Sequence, residues 1–243
     1  GGMRIEIKLL PLQDNPVIPF NYNYELYSQI VEKAGAIEPR IVKLLESPHG
    51  YWTFSRIIIR KREIIPEKGI KILSDDISLY ISSSNKEIIK GIVEGIEKSP
   101  EFKIGDVGFL VADIKALKSK EIKNVNIFST LSPIVVRTVK FEGDKLKHWD
   151  LYPHDELFLD RLRKVMLLRY HEVMGDLPED KDFRIELIKF KPTRLIVKDS
   201  YIRGSLMVFR YYGSKEIAKF GYENGFGEKT NLGFGMVKII EEQ

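Results

Sequence analysis

Apolar residues along this chain recur at two spacings, every second position or every third to fourth, and the changes of spacing mark its elements. Ile5, Ile7 and Leu9 alternate with Arg4, Glu6 and Lys8, which predicts a half-buried strand over residues 4–10. After a loop to Pro19, residues Tyr22, Leu26, Ile30 and Ala34 share one helical face, and Gly35 is expected to end that helix. A second short helix is expected over residues 38–46, carrying Ile41, Leu44 and Leu45 and closed by Ser47-Pro48-His49-Gly50. Strands follow at residues 52–60, 69–73 and 77–82. Asn85 is placed to cap a helix whose buried stripe is Ile88, Ile89, Ile92, Val93 and Ile96. A strand over residues 107–117 completes the set.

The second half repeats this order. Residues 126–140 read as a strand-like stretch interrupted at Ser132-Pro133, and Glu142-Gly143-Asp144 marks a turn. A strong helix is predicted over residues 155–174, with Leu159, Leu162, Met166, Tyr170 and Val173 on one face. Arg161, Arg163, Lys164 and Arg169 mostly avoid that face and read as a solvated surface. Strands at residues 183–190 and 194–197, joined across Lys191-Pro192-Thr193, precede a longer strand at 201–212. Ser214 caps a short helix with Ile217, Ala218 and Tyr222, and a last strand covers residues 236–240. Strand, helix, two strands, helix, strand is the ferredoxin-like βαββαβ plan. The predicted fold is therefore α+β, with two tandem ferredoxin-like domains over residues 3–120 and 121–243, divided at the charged residues 118–123. The repeat is one of pattern, not of residues.

Composition narrows the function classes. A hydrophobic content of 43% supports sizeable cores, and no apolar run is long enough to cross a membrane as a helix. Zero cysteines exclude disulfides and thiolate metal sites and make a cytoplasmic location the expectation. Gly1-Gly2 before Met3 reads as a cloning remnant. The net charge of +4 arises from 39 basic and 35 acidic residues, a mild excess that permits a nucleic-acid partner without requiring one. No His-x-x-x-His or carboxylate cluster suggests a metal site, and no cofactor is expected.

The densest local signal lies near the end. Five of the 18 glycines fall between Gly221 and Gly235, and Gly225-Phe226-Gly227 and Gly233-Phe234-Gly235 flank Glu228, Lys229, Thr230, Asn231 and Leu232. Clustered glycine implies positive φ or a close backbone approach. The spacing is neither the phosphate loop nor the dinucleotide fingerprint. Two readings fit: a glycine-rich turn before a strand, or a concavity whose amides cradle an anion.

Gly225–Gly235, with Phe220-Gly221-Tyr222-Glu223 before it, resembles the glycine-rich signature of the repeat-associated mysterious protein superfamily. Within it the chain resembles the archaeal CRISPR-associated endoribonucleases that cut repeat RNA into guide RNAs. Thr130-Leu131-Ser132-Pro133-Ile134, Leu206-Met207-Val208-Phe209-Arg210-Tyr211-Tyr212-Gly213 and Val17-Ile18-Pro19-Phe20-Asn21-Tyr22 look like other stretches of that branch. The resemblance covers nearly the whole chain. It implies two ferredoxin-like domains with single-stranded RNA in a basic cleft between them. It also implies metal-independent attack of a ribose 2′-OH on the adjacent phosphate, leaving 2′,3′-cyclic phosphate and 5′-OH ends. That reaction needs a base, an acid and a cation at the phosphate.

The family's tyrosine, histidine and lysine for these roles have no counterpart at the matching positions. Val31 stands at the tyrosine position, Leu45 at the histidine position, and the loop from Glu46 to Trp52 holds no lysine. His49 and Tyr51 are the remaining candidates nearby, with an exposed turn residue as the alternative for His49. RNA contacts are expected from Gly225, Phe226, Gly227, Lys229, Gly233 and Gly235, and from Lys189, Lys191, Arg194, Lys198, Arg203 and Arg210 on the strands beside them. Tyr201, Tyr211 and Tyr212 are stacking candidates. Three functional readings follow: a repeat-RNA-binding protein that has lost its catalytic set, an active metal-independent endoribonuclease, or a structural subunit of a CRISPR effector ribonucleoprotein. A homodimer is compatible with the family.

Overall fold

Strand β1 (Met3–Pro11) buries Ile5, Ile7 and Leu9, and its alternation turns Glu6 and Lys8 to the other side. In this computed structural model, which describes residues 1–179 and 182–241, the first half continues through β2 (Val17–Ile18) to helix α1 (Asn23–Ile37). A 3-10 turn (Pro39–Ile41) and helix α2 (Val42–Glu46) follow. Next come β3 (Thr53–Phe54), β4 (Ile58–Ile59), β5 (Arg62–Ile65), β6 (Gly69–Ile72), β7 (Ile77–Ser83), α3 (Lys86–Lys98), β8 (Glu101–Ile104) and β9 (Val107–Leu117). The main sheet runs β3-β7-β1-β9-β8, with β4 also on β7, and every pair is antiparallel. Strands β2, β6 and β5 form a small separate sheet.

Three sequence expectations change here. Gly35 does not stop α1, which runs on to Ile37; a side chain there would strike Val42, so the glycine instead lets α2 pack closely. The strand expected over residues 52–60 is broken at Ser55, whose hydroxyl takes the Tyr80 amide (2.9 Å) and donates to the Arg56 carbonyl (2.6 Å). The single second helix is split between a 3-10 turn and α2. Asn85 caps α3 as expected, its side chain accepting from the Glu87 amide at 2.9 Å.

The second half contains β10 (Val125–Thr130), the hairpin β11 (Arg137–Glu142) and β12 (Lys145–Asp150), and helix α4 (Phe158–Met174). A long hairpin of β13 (Arg184–Val197) and β14 (Ser200–Tyr212) follows, then α5 (Lys215–Asn224) and β15 (Val237–Ile240). The sheet order is β13-β14-β10-β15. In both halves the order is second, third, first, fourth strand of a βαββαβ unit, which is the ferredoxin-like arrangement. Pro192 does not divide β13, because β13 is an edge strand and a missing amide is tolerated there. Helices α4 and α5 cover one sheet face, burying Leu162, Met166, Ile217 and Phe220 against Phe128, Phe209 and Tyr211. Leu159 lies outside this core, more than a third exposed. The other face of this sheet is largely open.

Candidate functional site

The two halves are joined along a seam built from the stretches that carry the family resemblance. Asn23 donates to the Leu232 carbonyl (2.9 Å), Thr53 to Phe234 (2.7 Å) and Ser132 to Phe54 (3.0 Å). The Arg56 amide donates to the Leu131 carbonyl at 3.0 Å. Arg4, polar in the strand alternation yet buried, reaches the carbonyls of Val237 and Tyr222, each at 2.7 Å. Ile196 at the tip of the β13–β14 hairpin donates its amide to Asn21 at 2.8 Å.

Arg169 is the centre of this seam. Its guanidinium donates to the carbonyls of His49 (2.8 Å), Gly225 (2.8 Å), Gly227 (2.8 Å), Asn224 (3.0 Å) and Gly50 (3.1 Å), and to the Thr230 hydroxyl (3.2 Å). Burial pushes its pKa down to about 9, which leaves it cationic at neutral pH, and Glu228 opposes the shift. The sequence reading placed Arg169 on a solvated face. It is instead 4% exposed, one helical step round from Met166 and Tyr170. A planar fork of five N–H donors can serve five carbonyls of two segments and a hydroxyl at once, which a lysine cannot.

The glycine-rich segment is an internal seam, not an open cradle. The amides of Gly225, Phe226, Glu228 and Gly235 donate to the carbonyls of Gly221, Gly235, Val135 and Pro133, each at 2.8 Å. The Gly227 amide points at the Met166 sulfur, 3.3 Å away. Phe226 is fully buried against Phe128 (5.2 Å between ring centroids) and Phe209 (5.6 Å). Gly225, Phe226, Gly227, Gly233 and Gly235 are therefore buried structural positions, because carbonyls and rings of the protein occupy the space around them. Gly225, Gly227, Gly233 and Gly235 all have positive φ. At Gly235 (φ +78°) a Cβ would also overlap the Phe226 carbonyl oxygen. Gly235→Ala is expected to cost about 3 kcal/mol, combining a left-handed backbone penalty with forced displacement; thermal melting checks it. Lys229, also at positive φ (62°), is the half-buried exception. Burial and the nearby Arg137 lower its pKa, opposed by Glu228 and Asp150.

The loop expected to carry chemistry is held by the same clamp. Gly50, at φ +76°, separates His49 from Tyr51. The His49 side chain is 43% exposed, with Nε2 3.9 Å from a Glu172 carboxylate oxygen on α4. The Tyr51 ring packs against the first core. Leu45 is fully buried and Val31 packs on the same core. Tyr27, one turn before Val31, stacks near Trp52 (6.4 Å); burial first, then Glu46 and Tyr24, push its hydroxyl up to about 12. A phenol so shifted is a poor base at neutral pH.

Pairing register sorts the predicted cations. Lys189 stands opposite Val208 and Lys191 opposite Leu206, on the β13–β14 face that also carries Arg210. Ser129, on that face of β10, pairs with Lys238 of β15. Lys189, Lys191, Arg210 and Lys238 thus share the open sheet face, where Arg210 pairs with Glu186 at 2.9 Å. Arg194 and Arg203 oppose each other on the reverse face and do not join this row. Arg194 lies over Tyr201 (4.9 Å). Lys198 sits at the hairpin tip, 5.6 Å from the Tyr24 ring. Tyr211 is buried and unavailable for stacking; Tyr212 lies under Arg184 (4.2 Å). Sequence reasoning missed Lys238, which only the β10–β15 register brings to the row.

Residues 17–115 match the family described as CRISPR-associated protein Cas6, N-terminal, and residues 117–239 match CRISPR associated protein Cas6, C-terminal. The chain belongs to the Cas6 family. It is 76% identical to the CRISPR-associated endoribonuclease-like protein Cas6nc of Pyrococcus horikoshii, over 98% of this chain and 100% of that one. It is 39% identical to CRISPR-associated endoribonuclease Cas6 1 of Methanocaldococcus jannaschii, over 100% of this chain and 94% of that one. A solved structure described as an RAMP protein binding different RNA substrates superimposes with a TM-score of 0.96 at 76% identity, covering 98% of this chain and 100% of that chain. The Cas6 architecture of two ferredoxin-like units is thus the architecture of this chain. Among the described residues, no helix is long and apolar enough to cross a membrane.

Proposed function

We propose that this Cas6-family chain binds single-stranded CRISPR repeat RNA and does not cut it efficiently. The observation that carries the reading is the contrast between two regions. Lys189, Lys191, Arg210 and Lys238 line one open sheet face, while Leu45 and Val31 fill the positions where the family resemblance expects acid–base groups. Phosphodiesters on that face would meet cations, the dominant source of affinity for RNA. Transesterification at neutral pH needs a base beside the 2′-OH and an acid beside the leaving oxygen. Valine and leucine supply neither, and the half-buried Tyr51 packs its ring against the core. His49 has Glu172 as its titratable neighbour across the seam. The 76% identity to a relative named endoribonuclease-like supports the same reading.

The test is incubation with end-labelled repeat RNA in EDTA, followed by product analysis and by a filter-binding titration over salt. Binding that weakens steeply with salt, without a cyclic-phosphate product, is the expected result. Rapid site-specific cleavage abolished by His49→Ala would establish the active reading instead.

A further inference from the structure

A sheet edge is where a fold can still accept a strand, and this chain treats its edges unequally. At β8 the edge is closed by side chains of α1. The Gln29 side chain accepts from the Lys103 amide (2.8 Å) and donates to the Lys103 carbonyl (2.7 Å), and Glu25 takes the Gly105 amide at 2.9 Å. In the second half β13 carries Pro192, which cannot donate to an added strand. The last part of β9 has no such cover among the described residues. Strand β8 pairs only with residues 107–110, and the Val111 amide makes the last bond on that side, to the Pro100 carbonyl at 2.8 Å. Residues 113–117 pair with β1 alone and contain neither proline nor glycine. Ala112, Asp113, Lys115 and Ala116 are exposed, and Ile114 is half-buried against the core.

We propose that this edge pairs with the same edge of a second copy of the chain, antiparallel and centred on Ile114, joining two first-half sheets into one. The order of charges carries the inference. Asp113 and Lys115 stand opposite Lys8 and Glu6 on the open face, while Ile114 stands opposite the buried Ile7 on the helix-covered face. Those two neighbours are already engaged: Glu6 accepts from the Tyr80 hydroxyl (2.8 Å), and Lys8 donates to Asp76 (2.8 Å). With a two-fold axis through Ile114, Asp113 of each copy faces Lys115 of the other, so the favourable pair occurs twice. Ile114 meets Ile114 of the second copy on the helix side, and Ala112 meets Ala116. Moving the axis by one residue sets Asp113 on Asp113 or Lys115 on Lys115, and both are repulsive. A half-step sets open-face side chains against helix-side ones. Charge therefore selects one register. The bulge beside Ala112 ends the pairing. A strand pair this short buries less than the roughly 800 Å² per partner of standard interfaces, so the dimer is weak and depends on concentration.

Sedimentation equilibrium of the full chain without RNA tests this independently of the functional reading. The wild-type protein is expected to pass from monomer to dimer as its concentration rises, and less readily in high salt. Asp113→Lys and Lys115→Asp each set like charges opposite one another and weaken association about tenfold or more. The double variant, Asp113→Lys with Lys115→Asp, restores it, because opposite charges return in exchanged order. Both positions are exposed, and melting curves check that the three variants are folded. The chain has no cysteine, so a single introduced one reports its own neighbour. Ile114→Cys is expected to form a disulfide between copies, whereas Ala116→Cys, about 14 Å from its counterpart, is not. A monomer at every concentration, or a dimer indifferent to all three charge variants, overturns the proposal.

Discussion

Arg169→Met lowers the stability of the protein by about 3–5 kcal/mol, the scale for removing one partner of a buried charged contact. Methionine fills the volume of the stem and leaves the carbonyls of His49, Gly50, Asn224, Gly225 and Gly227 without their donor. At about 2–4 °C per kcal/mol for a chain of this size, the melting temperature falls by roughly 6–20 °C. Arg169→Lys keeps the charge yet supplies a point of three donors, so it recovers only part of the loss. Calorimetry of the two variants separates charge from geometry: equal melting temperatures for Lys and Arg would show that the fork is irrelevant. The loop carrying His49 would also loosen, because its two central carbonyls are tied to nothing else as strongly.

The second large effect concerns RNA. Lys189→Ala, Lys191→Ala and Lys238→Ala combined remove three cations from the open sheet face. The slope of log affinity against log salt becomes shallower by about 2, given roughly 0.7 counterions released per phosphate on a single strand. Affinity at low salt falls by about two orders of magnitude or more as three charge-assisted contacts disappear. The pair Arg194→Ala and Arg203→Ala, on the reverse face, serves as the matched control and changes both quantities little. Equal effects from the two sets would mean that RNA does not discriminate between the faces of this sheet.

Much of the architecture was legible because apolar periodicity records burial. Leu26, Ile30 and Ala34 are buried on α1 and Tyr22 at its N-cap, and the stripe of α3 is buried as its spacing implied, with Val93 at its half-buried edge. Strand β12 was invisible for the converse reason: Lys145 to Trp149 are all exposed, so no alternation exists to be read. The glycine segment gave up half its meaning. Clustering announced positive φ correctly at Gly225, Gly227, Gly233 and Gly235, but the amides of Glu228 and Gly235 are taken by carbonyls about a hundred residues away, at Val135 and Pro133. Arg169 was missed because a cation in a helix is usually solvated. The clue was positional, since 162, 166 and 169 continue one row of the helix surface. Nothing local could say that a carbonyl-lined hole waits for it. The cations of β13 could be named, yet the bulge between Leu187 and Lys189 and the β10–β15 pairing decide which of them share a face.

The seam also orders events during synthesis. Arg4 donates to Val237, Asn23 to Leu232 and Thr53 to Phe234, contacts that span more than 180 residues each. A nascent chain folds its first half while the acceptors for these groups are still unmade. Until the final strand leaves the ribosome, Arg4 remains in water and the edge at Thr53 and Phe54 stays unsealed. Synthesis of residues 222–237 is thus what allows the first half to close these contacts with the second.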